Sequence, residues 1–303
     1  MANPETLAAP VPLTPEVIHR VEAGVAAARN PEVRRYVDTT LARLGQEELA
    51  VDAKRVSGRW RRWILRSLLS LAFDIRIEQP ESIPTQPGVL VANHLSHLDP
   101  FLLLAATPPD PYYYSLGDAR TLFDQAWKRW IVGNAGGVIP LERWWKEEVA
   151  VMAAATDARP DLKPLAEAIK THVPSGNSIQ QMRQIDQAVQ GILQRGDGIL
   201  LFPEGRLGEE EGRLHLPLKR GTVLYALRSG VPITPVAIFG TRHLRFRQTL
   251  TLRFGPALHL PQENRPKRAT IDAAISQLET ALLDLLAEPP STPQSQHPRP
   301  PSP

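Results

Sequence analysis

No cysteine occurs anywhere in the chain, so disulfides, thiolate metal sites and a cysteine nucleophile are excluded, and any group transfer must run without a protein thioester. No stretch reaches the roughly eighteen uninterrupted apolar residues that a membrane-spanning helix needs. The N-terminus lacks a basic region followed by an apolar one, so neither a secreted nor a multi-pass protein is expected. No internal repeat is evident. With 303 residues, 42% of them hydrophobic, the chain is long enough to bury one large core with an appendage or two.

The net charge of +3 is small but unevenly spread. Between positions 54 and 76, Lys54, Arg55, Arg59, Arg61, Arg62, Arg66 and Arg76 face only Asp74. The same stretch carries Trp63, Ile64, Leu65, Leu68, Leu69, Leu71, Ala72 and Phe73, a run too short to cross a bilayer. Two readings fit this pattern. Either the helix lies in the plane of a membrane surface, where each Lys or Arg near anionic lipid contributes on the order of 1 kcal/mol, or it packs its apolar face on the domain and leaves a solvated basic face. Nucleic acid is not expected as a partner, because neither a recognised motif nor an aromatic platform accompanies the charge.

Residues 1–72 read as an N-terminal helical region that includes this basic interfacial helix, with helical patterns at Pro15 to Arg29 and Pro31 to Leu44. From residue 73 to 288 short apolar strands alternate with helices. The strands are expected at Ile75 to Glu78, Gly88 to Ala92, Tyr112 to Leu116, Gly137 to Leu141, Gly198 to Phe202, Val231 to Phe239 and Thr249 to Phe254. This predicts an α/β fold, a mixed, largely parallel sheet flanked by helices with an N-terminal helical segment. A helix from Ser178 to Arg195 carries Ile179, Met182, Ile185, Val189 and Ile192 at spacings of three and four, which predicts that all five pack inward. A last helix is expected at Thr270 to Ala287, before a Pro-rich tail over 289–303 that is expected to be disordered.

The run Val91 to Pro100 puts His94 and Asp99 in a strand-to-helix turn, with Asp99 expected as the helix cap and Pro100 at the first helical position. Imidazole titrates near neutrality and is suited to taking a proton from a hydroxyl. Five positions apart on a regular helix, the two side chains would point about 140° apart. They meet only if the segment between them is irregular.

Further along stand Gly137-Val-Ile-Pro-Leu-Glu-Arg143, Phe202-Pro-Glu-Gly-Arg206 and Val231-Pro-Ile-Thr-Pro-Val236. In this order the four blocks resemble those of the glycerolipid acyltransferase family, which includes the 1-acyl-sn-glycerol-3-phosphate acyltransferases: N-H-x-x-x-x-D, G-x-I-x-x-x-R, F-P-E-G and V-P-I-x-P-V. The resemblance covers roughly residues 75 to 260. It implies an O-acyltransferase of phospholipid biosynthesis that moves a fatty acyl group from an acyl-carrier protein or coenzyme A thioester to a phosphorylated glycerol lipid, lysophosphatidate first among the acceptors.

The same resemblance implies His94 as base and Asp99 as the group that steadies it. Arg143 is implied for the acceptor phosphate, Glu204 for its glycerol portion, and Gly205 and Arg206 for substrate contacts. Pro232 and Pro235 are implied as apolar wall near the acyl chain. No cofactor or metal is expected, the thioester being a co-substrate. A peripheral or monotopic place on the cytoplasmic face of a membrane follows from the lipid acceptor and the basic helix together.

Two departures stand out. The third family block continues Thr-Arg-Ser, whereas here Arg206 directly follows Gly205 and Leu207 stands where the Arg would be. About thirty residues are added after Arg143. Lys219 and Arg220 are candidates for a contribution to the positive field. Ser96 is a weaker candidate for a covalent route, since nothing resembles a strained nucleophile elbow. Two other functions remain open at this point: a metal-dependent hydrolase using His94, His97 and Asp99, and a lysophospholipid-binding protein without turnover.

Overall fold

The computed structural model describes residues 11–44, 56–126, 128–129, 137–176, 178–288 and 290. Lys54, Arg55 and, but for Pro290, the tail expected over 289–303 lie outside the described residues.

All seven expected strands form, with ends shifted by two residues at most: β1 Asp74–Glu78, β2 Val89–Ala92, β3 Tyr113–Asp118, β4 Val138–Leu141, β5 Gly198–Leu201, β6 Ile233–Phe239 and β7 Thr249–Phe254. Their sheet order is β1-β7-β6-β2-β5-β3-β4. β1 pairs with β7, β2 with β6, and β3 with both β4 and β5 in parallel, while β6 and β7 run antiparallel. The fold is thus the mixed, largely parallel α/β architecture expected. β2, β5 and β6 are buried along their whole length, which is why they read as continuous apolar runs rather than alternating ones.

Backbone packing divides the chain into two compact units. The first, residues 1–61, 85–88 and 109–201, carries β3, β4 and β5 with helices α1 (Pro15–Arg29) and α2 (Pro31–Leu44). The stretch added after Arg143 folds here into α6 (Lys146–Ala154) and α7 (Lys163–His172). Val21, Val25 and Ala28 of α1 form one buried cluster with Val151, Leu162, Ile169 and Val173. The two segments without assigned chemistry therefore complete each other's core. Arg120, at the start of the short helix α5 (Ala119–Leu122), is fully buried and ion-paired with Glu148, whose other carboxylate oxygen accepts the backbone N–H of Trp145.

One packing expectation fails in part. Helix α8 (Ile179–Gln194) buries Ile185, Val189 and Ile192, but Ile179 and Met182 are exposed. The apolar periodicity is present at its first turn, and the packing partners begin only a turn later.

The second unit, residues 62–84, 89–108 and 202–303, carries β1, β2, β6 and β7 with α4 (Asp99–Ala106), α9 (Gly221–Ser229) and α10 (Arg268–Ala287). Leu285 and Leu286 of α10 bury against Ala237 and Phe239 of β6. Helix α3 (Gly58–Ala72) runs into β1, and Leu69 is its one buried residue. Trp63, Ile64, Leu68 and Leu71 are exposed, so its apolar face is not packed on the described part of the domain.

Candidate active site

The site grows from the carboxyl ends of strands β2 and β5, where ligands bind in open parallel sheets. Asn93 ends β2 with a fully buried amide: its Nδ2 donates to the Ile238 carbonyl at 3.0 Å and its Oδ1 accepts the Ile238 N–H at 2.7 Å. This two-point clamp ties the start of the turn to β6.

His94 and Asp99 meet. Nδ1 of His94 lies 2.9 Å from Oδ2 of Asp99. The same oxygen accepts the backbone N–H of Leu95 at 2.7 Å and of Ser96 at 2.8 Å, so the chain between the two residues curls around the carboxylate. That irregular turn is what the five-residue spacing required. The role expected of Asp99 as helix cap is corrected: the helix starts at Asp99 itself, and the capping position, Leu98, makes no side-chain bond. The carboxylate points back toward the turn because a third donor, the imidazole, is available there. Asp99 is fully buried and its Oδ1 has no hydrogen-bond partner, so its bonding converges on the single oxygen that faces His94.

A carboxylate can only accept, so Nδ1 carries the hydrogen and Nε2 is left as the basic nitrogen. The His94 side chain is 16% exposed, against 0% for Asp99. The imidazole stacks on the Phe202 ring, with centroids 3.9 Å apart and planes 17° from parallel. This fixes the ring plane.

Glu204 follows β5 and is 3% exposed. Its Oε1 accepts the His94 N–H and its Oε2 the His215 N–H, both at 2.8 Å. Burial raises its pKa above the ordinary carboxylate value, and the two backbone donors, with the nearby Arg206 charge, pull the other way. Glu204 therefore braces two loops. The Gly208 N–H donates to the His94 carbonyl at 2.6 Å and strengthens the same tie.

Gly205 sits at φ +67°, a left-handed conformation that costs residues with a Cβ about 1–2 kcal/mol, and this turn brings Arg206 out of the strand line. Nη2 of Arg206 lies 2.5 Å from Nδ1 of His215, which must accept and so be unprotonated there. Partial burial first, then Arg206 and Lys219, lower the His215 pKa, and Glu209 opposes them.

The structure brings His94, Asp99, Glu204, Gly205 and Arg206 into one unit. Arg143 belongs to the other, just past β4; its side chain is exposed and its backbone carbonyl accepts from Nη2 of Arg120 at 2.7 Å. The Pro232 carbonyl accepts the Val89 N–H at 2.9 Å, and Pro235 is buried in β6 in register with Val91. Arg220 is ion-paired with Asp272 at 2.8 Å, and the Lys219 N–H donates to the Pro203 carbonyl. Ser96 Oγ accepts the Leu98 N–H, a local turn bond. His97 is exposed, and among the described residues no three His, Cys, Asp or Glu side chains gather to hold a metal ion.

Sequence reasoning missed Phe202 as the ring under the base, although it stands inside the quoted Phe-Pro-Glu-Gly block. It also missed His215, which meets Arg206 and Glu204 across a loop without a recognisable motif, and Arg120, whose partner Glu148 lies in another element.

An imidazole held by a buried carboxylate at a strand end is an arrangement that suits general-base chemistry on a hydroxyl. The comparisons with known proteins agree in class. A family model described as "Acyltransferase" matches residues 74–239, more than half of the chain, and the chain belongs to that family. Among relatives, a 1-acyl-sn-glycerol-3-phosphate acyltransferase of Limnanthes douglasii is 36% identical over 25% of this chain and 26% of its own length. A lyso-ornithine lipid O-acyltransferase of Pseudomonas aeruginosa is 30% identical over 59% of this chain and 52% of its own. The chain thus spans between a quarter and about half of these relatives. A crystal structure of the 1-acyl-sn-glycerophosphate (LPA) acyltransferase PlsC from Thermotoga maritima aligns over 89% of this chain and 99% of its own, with 18% identity and a TM-score of 0.42.

Proposed function

We propose that this chain is an O-acyltransferase that moves a fatty acyl group from an acyl-carrier protein or coenzyme A thioester to the free hydroxyl of a phosphorylated glycerol lipid, with lysophosphatidate converted to phosphatidate as the leading case. The observation that carries this reading is the 2.9 Å contact between His94 Nδ1 and Asp99 Oδ2, which leaves Nε2 as the base. Nε2 takes the hydroxyl proton as the oxygen attacks the thioester carbonyl. The C–S bond then breaks and the thiolate leaves, accepting the proton back from the imidazolium. A thiol is a good leaving group and an alcohol a poor nucleophile, so help from a base counts for more than help from an acid.

In this reading Arg143 binds the acceptor phosphate, for which a guanidinium offers a two-point fork, and Arg206 is the nearest substitute for the displaced family Arg. The exposed face of α3 rests on the membrane that supplies the acceptor, at its cytoplasmic surface. Leu207, in place of the family Arg, and the lyso-ornithine lipid relative favour a second reading, in which the acceptor is a lyso-lipid without a phosphate monoester.

The test is an acceptor panel with labelled acyl-carrier protein and acyl-coenzyme A donors, run on the parent, His94→Ala and Arg143→Ala. His94→Ala is expected to abolish transfer, and Arg143→Ala to lose discrimination between phosphorylated and unphosphorylated acceptors. Undiminished turnover by His94→Ala refutes the mechanism. Binding of lysophosphatidate without consumption of any thioester by the parent makes the chain a binding protein.

A further inference from the structure

The loop between β6 and β7 has no part in the proposed chemistry, yet it is built for contact. Leu244 and Phe246 are both exposed, Phe246 at 73%. Arg245 and Arg247 flank Phe246 and are exposed as well. The Arg247 guanidinium lies 5.5 Å from the Phe246 ring centroid. Arg247 itself takes a positive φ of 61°, and its N–H donates 2.7 Å to the carbonyl of Ala72, the last residue of α3. The Asp74 N–H donates to the Gln248 carbonyl at 3.0 Å, so the far side of the loop is fastened to the same place. The loop tip is therefore held beside the end of α3 that exposes Leu68 and Leu71.

Charge selects the partner. No Asp or Glu occurs in residues 240–254 or 54–73, whereas Arg59, Arg62 and Arg66 of α3 add to Arg245 and Arg247. Among acids on adjoining segments, the Glu211 carboxylate accepts the Gly240 and Arg242 N–H groups, and that of Asp74 accepts from the Thr249 hydroxyl. Apolar side chains rimmed by arginines, with no carboxylate among them, match the interface of an anionic bilayer, where the rings and alkyl groups enter the headgroup boundary and the guanidinium groups meet phosphates.

We infer that the β6–β7 loop is a second lipid-contacting element, which together with α3 seats the protein on an anionic phospholipid surface through Leu244 and Phe246. This deepens the lipid-acceptor reading but does not need the chemistry, because the test uses neither donor nor acceptor. The full chain is mixed with phosphatidylcholine vesicles with and without phosphatidylglycerol, and bound protein is read by flotation. Leu244→Ser with Phe246→Ser is expected to weaken binding to anionic vesicles by about tenfold or more. Arg245→Gln with Arg247→Gln is expected to weaken it several-fold at low salt only, with little change on neutral vesicles.

Because the chain has no cysteine, Leu244→Cys can be labelled alone with a polarity-sensitive dye. A blue shift on adding anionic vesicles is expected, and this readout does not depend on whether the serine variants fold. Unchanged vesicle binding by the folded loop variants, no dye response, or a blue shift that tracks self-association without vesicles each overturns the inference. Vesicle binding that depends on the loop in a chain without acyl transfer refutes the catalytic reading and leaves this one standing.

Discussion

Asp99→Asn separates geometry from charge at the proposed base. Three donors, the His94 imidazole and the Leu95 and Ser96 N–H groups, converge on Oδ2, while Oδ1 is buried without a partner. An asparagine whose carbonyl takes the place of Oδ2 keeps all three bonds, and its NH2 falls where no bond existed. The fold is therefore expected to survive. What disappears is the negative charge facing the imidazolium that forms during attack. With the charge centres about 4 Å apart and an effective dielectric near 20, that attraction is about 4 kcal/mol, or roughly a thousandfold in rate.

The loss should fall on kcat, with KM little changed, because the charge pair exists only once the proton has moved. Release of coenzyme A can be followed with a thiol reagent, to which this cysteine-free chain contributes no background. Asp99→Ala is the contrast. It leaves the Leu95 and Ser96 N–H groups without their acceptor at about 1–3 kcal/mol each and should also lower the melting temperature. An Asp99→Asn enzyme that keeps its fold and retains kcat within about tenfold of the parent refutes the role assigned to the carboxylate.

Titration of His215 by NMR should show a midpoint below the usual histidine value of about 6.5, because burial and the Arg206 and Lys219 charges disfavour its protonated form. Arg206→Met should raise that midpoint. Since the folded state binds this proton less readily than the unfolded chain, the stability linked to His215 is present above the ordinary histidine range and is lost as pH falls through the depressed folded value. A midpoint unmoved by Arg206→Met contradicts the 2.5 Å contact. Arg120→Met should cost about 3–5 kcal/mol in chemical denaturation, because it strands the buried Glu148 carboxylate as well as removing the donor to the Arg143 carbonyl. A double variant with Glu148→Gln that recovers most of that loss would confirm that the stranded charge, rather than packing, sets the cost.

Local sequence determined the elements and the order in which chemistry is strung along them. Strands β2, β5 and β6 were legible because fully buried strands are nearly continuous apolar runs, β1 and β7 because apolar and polar residues alternate along them, and the turns because Asn93, Pro100 and Gly205 each forbid or divert regular structure. His94 and Asp99 were legible as candidates for the same reason, being polar residues immediately beyond a buried strand. Their contact was implied by the family resemblance alone, since the capping pattern Asp99-Pro100 by itself predicts a carboxylate turned toward the helix. It turns the other way because folding places an imidazole and two backbone donors on one point.

Nor could periodicity say that Ile179 and Met182 lie exposed or that Trp63 and Leu71 are left uncovered, because an amphipathic pattern marks a face without naming what lies against it. Residues 15–29 and the stretch after Arg143 carried no legible role. Their shared core joins positions more than a hundred residues apart, and only tertiary structure can bring such positions together.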